Sequence, residues 1–127
     1  MATIFSKIVL GQIPCHKILE DDTFLAFLDV RPINRGHTLV ILKKEIDYFF
    51  DLNDELLSKL MVFAKKTAIM IEKRIPCKRV GVMVAGLEVP HVHVHLVPIN
   101  DVGDLNFSKA KSVSQEELKD TAALIRG

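Results

Sequence analysis

Five short apolar segments separated by turn signals form the main pattern along this chain. Clusters of turn-forming residues, many of them Gly, Pro, Asn or Asp, lie between them at 11–14, 20–22, 31–36 and 102–104. Apolar runs of this length between turns are typical of β-strands. The pattern predicts strands at 17–19, 24–29, 37–42, 80–85 and 92–97.

One longer segment has a helical period. From Asn53 or Asp54 to about Arg74, apolar residues recur every three or four positions, the spacing of one face of an α-helix. They are Leu56, Leu60, Phe63, Ala64, Thr67 and Ile71. Pro76 follows at a position where a helix should already have ended. From Ser114 the chain reads Ser-Gln-Glu-Glu, a capping-box pattern that predicts a second helix near the C-terminus.

These elements predict an α+β fold for the chain. Strands joined by tight turns, with one long helix between the third and fourth, favour an antiparallel sheet of about five strands, and a C-terminal helix follows. A chain of 127 residues fits a single domain spanning 1–127. The segment 80–85 is apolar at nearly every position, so we expect both its faces to be covered. A packed helix, or a second copy of the chain that continues the sheet, would provide this cover.

The charge balance is nearly neutral, with 17 basic and 16 acidic residues and a net charge of +1. This balance gives no long-range field for a nucleic-acid or membrane partner, so any bound phosphate has to be held by local chemistry. Cys15 and Cys77 have no metal-type spacing, and we expect them to be reduced thiols of a cytoplasmic protein. A lysine at position 7 interrupts what would be the apolar core of a signal peptide. The apolar runs are shorter than the ~20 residues of a membrane span.

The stretch 91–97, which reads His-Val-His-Val-His-Leu-Val, carries the candidate chemistry. Its strict alternation predicts a strand with one buried face, formed by the two valines and the leucine. His91, His93 and His95 would then stand in a row on the other face, roughly 7 Å apart.

Three functions compete for this row of histidines. It could be a polar strand face, or a metal site whose third ligand is Asp29, Glu88 or His37. It could also be a metal-free covalent site, in which one neutral imidazole attacks phosphorus while its neighbours donate hydrogen bonds to the phosphate oxygens. Of the three, only His93 is flanked on both sides, so it is the best candidate nucleophile.

The sequence resembles the histidine-triad (HIT) family, whose hallmark alternates histidine with apolar residues as 91–97 does. The resemblance is closest to the Hint-like, nucleoside phosphoramidase branch. It covers about 4–98, and the tail 99–127 resembles nothing informative. The supporting segments occur in the family's order at 3–8, 13–14, 24–30, 36–41 and 43–45.

The resemblance implies roles for individual residues. His93 corresponds to the nucleophile that carries the nucleotidyl group, with His91 and His95 as its flanking partners and His37 as a fourth histidine. Asp29 matches the carboxylate that accepts from the ribose hydroxyls. The wall around a purine base is expected from Ile4, Phe5, Ile8, Phe27, Leu28 and Val30. Gly86 and Glu88 are expected near the ribose and phosphate. The resemblance also implies a homodimer with one continuous sheet, without a cofactor.

The chain departs from its relatives at four places. Ala85 replaces an Asn, and Gly86-Leu87-Glu88 replaces a Gly-Gln-Ser segment. We expect Glu88 either to protonate an amine leaving group or to pair with a basic residue. Thr3 and Ser6 occupy the positions of a zinc-binding cysteine pair, so no structural zinc is expected.

The expected function is hydrolysis of a P–N or P–O bond at the α-phosphate of a purine nucleotide. Phosphoramidates, such as AMP joined to an amine or lysine, are the leading substrate class, and dinucleoside polyphosphates are the nearest competitor. A nucleotidyl transferase, a nucleotide-binding sensor or adaptor with vestigial catalysis, and a metal hydrolase remain as alternatives.

Overall fold

A computed structural model describes residues 2–127. Its helices are α1 (Ile4–Val9), α2 (Asp54–Arg74) and α3 (Gln115–Arg126), and three short 3-10 helices lie at Phe49–Asp51, Val102–Asp104 and Phe107–Lys109. Its strands are β1 (Lys17–Glu20), β2 (Phe24–Leu28), β3 (Thr38–Leu42), β4 (Arg79–Met83) and β5 (His93–Ile99). Among these helices of 2–127, none is both long and apolar enough to cross a membrane.

The five strands form one antiparallel sheet in the order β1-β2-β3-β5-β4. The predicted α+β class, the antiparallel sheet, the long helix and the C-terminal helix are confirmed. The predicted cap of the C-terminal helix is present, because Ser114 accepts from the Glu117 amide, and Asn53 caps α2 by accepting from the Leu56 amide. These side chains satisfy amides that have no partner within the helix.

The sheet has two differently covered faces. Helices α2 and α3 pack on one face and form the main core with alternate residues of the strands, such as Val40, Val94 and Leu96. On the other face Leu25, Phe27, Leu39 and Ile41 form a smaller cluster under Phe5 and Ile8 of α1. The α3 helix lies in the tail that lacks family resemblance, yet it contributes Leu118, Ala122 and Ile125 to the main core.

Helix α1 was not predicted. It has six residues, which is too short for a helical period to be recognised in the sequence. The Thr3 side chain caps it by accepting from the Ser6 amide.

Within residues 2–127, no element fully covers both faces of the segment 80–85, although the sequence analysis expected both to be covered. The strand is β4, it ends at Met83, and it lies at the edge of the sheet. Val80 and Val84 pack against the main core, but Val82 is 51% exposed. Helix α2 therefore covers this strand incompletely, and the backbone groups of its outer side have no strand partner in this part of the chain.

Candidate active site

His93 and His95 lie side by side on the face of β5 opposite the main core. Their strand neighbours on β3 are Ile41 and Leu39, which belong to the smaller cluster. Both histidines are only 5% exposed. The Phe5 ring of α1 contacts the His93 ring edge-on, with centroids 4.9 Å apart. Helix α1 and the sheet thus hold the middle histidine between them.

His91 lies on the same side of the sheet as His93, because Phe5 packs edge-on against both rings, but it stands outside the strand. It precedes β5 and is fully buried. Its Nε2 lies 2.7 Å from the Leu42 carbonyl oxygen, and its Nδ1 lies 2.8 Å from Thr3 Oγ1. A carbonyl can only accept, so Nε2 carries the proton and Nδ1 accepts from the Thr3 hydroxyl. The His91 ring is therefore a supporting group.

The backbone of His91 fixes the tautomer of His93. His93 Nδ1 lies 2.7 Å from the His91 carbonyl oxygen. Because that oxygen accepts, Nδ1 must carry the proton, and the lone pair of neutral His93 is on Nε2. A neutral imidazole with a free Nε2 is the form that acts as a nucleophile.

A second chain of hydrogen bonds fixes the tautomer of His95. The Ile33 amide donates to His37 Nδ1 at 3.0 Å, so His37 carries its proton on Nε2. His37 Nε2 lies 3.0 Å from His95 Nδ1 and donates to it. His95 therefore presents an N–H at Nε2. The backbone thus sets the middle histidine as an electron-pair donor and its neighbour as a hydrogen-bond donor.

Burial keeps His37 and His95 neutral. It lowers the pKa of His37 to about 4. Burial, together with the charges of His37 and His93, lowers the pKa of His95 to about 3. Burial also raises the pKa of Asp29. Neutral imidazoles are what the donor–acceptor chain requires, so the electrostatics agree with the hydrogen-bond geometry.

A polar cluster at the N-terminus supports His91, and sequence reasoning missed it. Glu45 Oε1 accepts from the Thr3 amide at 2.8 Å and from the Ser6 hydroxyl at 2.7 Å. These bonds lower the pKa of Glu45, the Ser6 bond most of all. The cluster joins α1 to the chain after β3, and Thr3 extends it to His91. No local pattern pairs position 45 with position 3, so only the tertiary structure reveals this contact.

A cavity of about 480 Å³ opens beside His93 and His95. Asp29 and Glu88 provide its acidic groups. The predicted wall residues all line it, namely Ile4, Phe5, Ile8, Phe27, Leu28 and Val30, although the Leu28 side chain packs in the main core. Residues that the sequence did not indicate also line it, among them Ile13, Cys15, His16, Leu39, Val89 and Gln115. We call this space the nucleoside cavity, after the ligand that the sequence analysis expects there.

Gly86 and Glu88 line two different cavities. Gly86 lines a separate cavity of about 400 Å³ on the other side of segment 84–88. Glu88 is exposed at the wall of the nucleoside cavity, and within 2–127 no basic side chain forms an ion pair with it. A wider groove of about 590 Å³ beside the turn 32–35 includes none of the histidines.

The tail also reaches the site. Phe107, in the last 3-10 helix, packs edge-on against the His95 ring with centroids 4.9 Å apart. His95 is thus held between His37 and Phe107. The tail shows no family resemblance, so the sequence gave no indication of this contact.

Asp29, His37 and His95 could be considered as a metal site. Their potential ligand atoms all lie within 4.8 Å of one another. A metal on His37 Nε2 would require the ring proton to move to Nδ1, where it would face the Ile33 N–H donor. The arrangement therefore fits a chain of hydrogen bonds better than a set of metal ligands.

Comparisons with known proteins point to one family. The sequence model of the HIT domain matches residues 10–102. The chain is 37% identical over 123 residues to an uncharacterized HIT-like protein of Methanocaldococcus jannaschii, covering 91% of this chain and 94% of that protein. It is 38% identical over 103 residues to the adenosine 5'-monophosphoramidase hnt1 of Schizosaccharomyces pombe, covering 77% of this chain and 74% of that protein.

Solved structures show the same fold. The crystal structure of a Hit-like protein involved in cell-cycle regulation from Bartonella henselae superposes with a TM-score of 0.86 at 30% identity. The match covers 98% of this chain and 93% of that one.

Proposed function

This chain belongs to the histidine-triad family, and we propose that it hydrolyses purine nucleoside 5'-phosphoramidates through a covalent nucleotidyl-His93 intermediate. One observation carries the proposal. The His91 carbonyl binds the Nδ1 proton of His93 and so leaves the Nε2 lone pair free, next to a second imidazole that offers an N–H. The phosphoramidase activity named for the yeast relative supports the choice of substrate.

In the first step, the His93 Nε2 lone pair forms a bond to the α-phosphorus as the P–N bond to the leaving amine breaks. The leaving nitrogen keeps the electron pair of that bond and needs a proton. Glu88, exposed at the cavity wall, is the residue that we propose as the proton donor. His95 Nε2–H donates to a non-bridging phosphate oxygen, whose charge changes in the transition state.

In the second step, water attacks the same phosphorus and the bond to His93 breaks. The electron pair returns to Nε2, and the Glu88 carboxylate takes the proton of the water. The nucleoside 5'-monophosphate leaves, and the original protonation states are restored. No metal ion is required in either step.

The nucleoside cavity suits the rest of the substrate. Asp29 can accept from the ribose hydroxyls, although Oδ1 already accepts from the Arg31 amide at 2.9 Å. The apolar wall around Phe5, Phe27 and Ile8 can pack on a purine ring. Its volume of about 480 Å³ lies in the usual range for small-molecule sites.

Three other functions remain candidates. The same nucleophile would serve a dinucleoside polyphosphate, and phosphate could replace water in the second step of a transferase. Ala85 and Glu88 stand where relatives carry Asn and Ser, and the loss of these two hydrogen-bonding groups favours a nucleotide sensor with vestigial catalysis.

We also propose that a second copy of the chain pairs with β4. The strand lies at the edge of the sheet, and Val82 exposes apolar surface there. Exposed apolar edge strands are usually protected in native proteins, and a two-fold pairing would protect this one.

The test is turnover of adenosine 5'-phosphoramidate. Wild-type protein should release AMP in the presence of excess chelator. His93→Asn should be at least about a thousandfold slower, because it removes the nucleophile, and should still bind AMP in calorimetry. Glu88→Gln should slow release of the amine. Persistent turnover in His93→Asn, or loss of wild-type turnover with chelator, would contradict the mechanism. AMP binding without turnover by the wild type would favour the sensor.

A further inference from the structure

Two polar side chains that line the nucleoside cavity have no role in the proposed mechanism. His16 is half-buried just before β1, and Gln115 is exposed on the first turn of α3. His16 Nε2 lies 2.8 Å from Gln115 Oε1, although 99 positions of sequence separate the two residues. Tertiary packing therefore brings a polar pair to the rim of a cavity whose other walls are largely apolar.

We infer that Gln115, oriented by His16, binds the base of the nucleotide and selects adenine over other purines. The inference rests on the proposed function for the place of the nucleotide, and it names the base that the proposal leaves open. It makes Gln115 a specificity-determining residue and His16 the residue that positions it.

The place of the pair follows from the order of groups along the cavity. His93 and His95 hold the phosphate and Asp29 holds the ribose, so the base lies beyond Asp29. The Leu28 amide donates to the His16 carbonyl at 3.0 Å, which places the His16 backbone against the residue before Asp29. His16 and its partner on α3 therefore stand at the ribose and base end of the cavity.

The apolar wall of the cavity cannot distinguish one purine from another. Phe5, Phe27 and Ile8 can pack on the faces of a ring, and all purines present similar faces. Purines differ at their edges, where adenine has the N7 acceptor beside an amino donor, while guanine and hypoxanthine have two acceptors, N7 and O6. Selection of adenine therefore needs a donor and an acceptor side by side.

The Gln115 amide offers this donor and acceptor in a fixed order. A side-chain carbonyl oxygen only accepts, so His16 Nε2 carries the proton of the 2.8 Å bond. That bond holds the amide oxygen toward His16 and uses one of its two lone pairs. The amide N–H can then donate to adenine N7 while the second lone pair accepts from the adenine amino group, as glutamine does when it reads adenine in DNA. A 6-oxopurine would place O6 against the amide oxygen and lose one of these bonds.

The experiment measures turnover of three nucleoside 5'-phosphoramidates whose bases are adenine, 7-deazaadenine and hypoxanthine. The base is remote from the reacting P–N bond, so the chemical step is the same for all three. Wild-type kcat/KM should be about fivefold lower for the 7-deaza substrate, which lacks the N7 acceptor, and for the hypoxanthine substrate, which lacks the amino donor, because each loses one hydrogen bond. In Gln115→Ala the three values should agree within about twofold.

A second variant and a matched control accompany Gln115→Ala. His16→Phe keeps a ring but removes the N–H that orients the amide, so its discrimination should lie between those of wild type and Gln115→Ala. The control is Gln12→Ala, because Gln12 is also an exposed glutamine but does not line the nucleoside cavity. It should keep the wild-type ratios. Alanine is favourable in a helix, so Gln115→Ala should keep the fold.

Calorimetry with AMP, 7-deaza-AMP and IMP separates this inference from the proposed function. These nucleotides bind without a reaction, so the about fivefold preference for AMP, and its loss in Gln115→Ala, should also appear in Kd. The same preference in a wild type that cleaves no phosphoramidate would keep the base assignment and overturn the phosphoramidase proposal.

Three results would overturn the base assignment and leave the phosphoramidase proposal standing. They are equal wild-type turnover of the three substrates, a wild-type preference for hypoxanthine, and a preference for adenine that survives in Gln115→Ala. A loss of discrimination in Gln12→Ala as large as in Gln115→Ala would also overturn it. A wild type that neither binds these nucleotides nor cleaves the substrates would overturn both proposals.

Discussion

Acidification should destabilise this protein before its carboxylates titrate. His37 and His95 are buried as a hydrogen-bonded pair, and burial is the main cause that lowers their pKa values from 6.5 to about 4 and about 3. In the unfolded chain both regain the ordinary value of 6.5. Below pH 6.5 the unfolded state therefore binds protons that the folded state does not bind, and stability falls as the pH falls.

The size of this effect follows from the two shifts. One pH unit below its unfolded pKa, a group that stays neutral in the folded state costs about 1.4 kcal/mol of stability. Between about pH 7.5 and about pH 5.5, the pair should lower the free energy of unfolding by about 3 kcal/mol. His91 adds to the loss because burial lowers its pKa too. Burial raises the pKa of Asp29, which opposes the loss at more acidic pH.

Urea unfolding followed by far-ultraviolet circular dichroism measures this change, since the chain contains no tryptophan. His37→Gln is the matched variant, because glutamine can still accept from the Ile33 amide and donate to His95. Its loss of stability over the same range should be smaller by about 1.4 kcal/mol. A variant with the same pH dependence as the wild type, or a wild type that gains stability on acidification, would refute the neutral-pair argument.

Three further substitutions test the packing around the site. Thr3→Val removes the hydroxyl that donates to His91 Nδ1; it should cost about 1–3 kcal/mol in urea unfolding, whereas Thr3→Ser should restore most of it. Leu60→Ala in the main core should cost about 2–5 kcal/mol, while Val62→Ala on the exposed face of the same helix should change stability by less than about 0.5 kcal/mol. Gly36→Ala should destabilise by about 1–3 kcal/mol, because φ is +91° and a Cβ would lie 3.1 Å from an Ile75 side-chain carbon; an unchanged unfolding midpoint would contradict this.

The elements that could be predicted from the sequence are those with a strong period. Helix α2 begins at Asp54 and ends at Arg74 because a cap, a long apolar stripe and a following Pro76 agree with one another. Strand β5 was predicted because its valines and histidines alternate. In both cases local pattern and tertiary packing require the same structure.

The histidine motif also shows where a period misleads. The alternation continues back to His91, but the strand begins at His93. The Val92 amide donates to the Ile46 carbonyl. His91 lies in the bend before the strand, and its Nε2 donates to the Leu42 carbonyl. A sequence pattern does not reveal where the backbone leaves the sheet, because that depends on a partner over forty positions away.

The parts of the site that were missed depend on contacts distant in sequence. Glu45 reaches Thr3 across 42 positions. Phe107 reaches His95 from a tail without recognisable pattern. The cavity of about 400 Å³ combines side chains from the loop 47–50 and segment 84–87, and no periodicity marks such residues as partners. Only the three-dimensional fold brings them together.

The covalent intermediate is the most direct test of the account. Wild-type protein is mixed with an adenosine 5'-phosphoramidate, quenched with alkali during turnover, and digested for mass analysis. One adenylyl group should be found on the peptide containing 91–97, and fragmentation should assign it to His93, with none in His93→Asn. An adenylyl group on His95, or rapid turnover with no labelled peptide at any time point, would contradict the central claim.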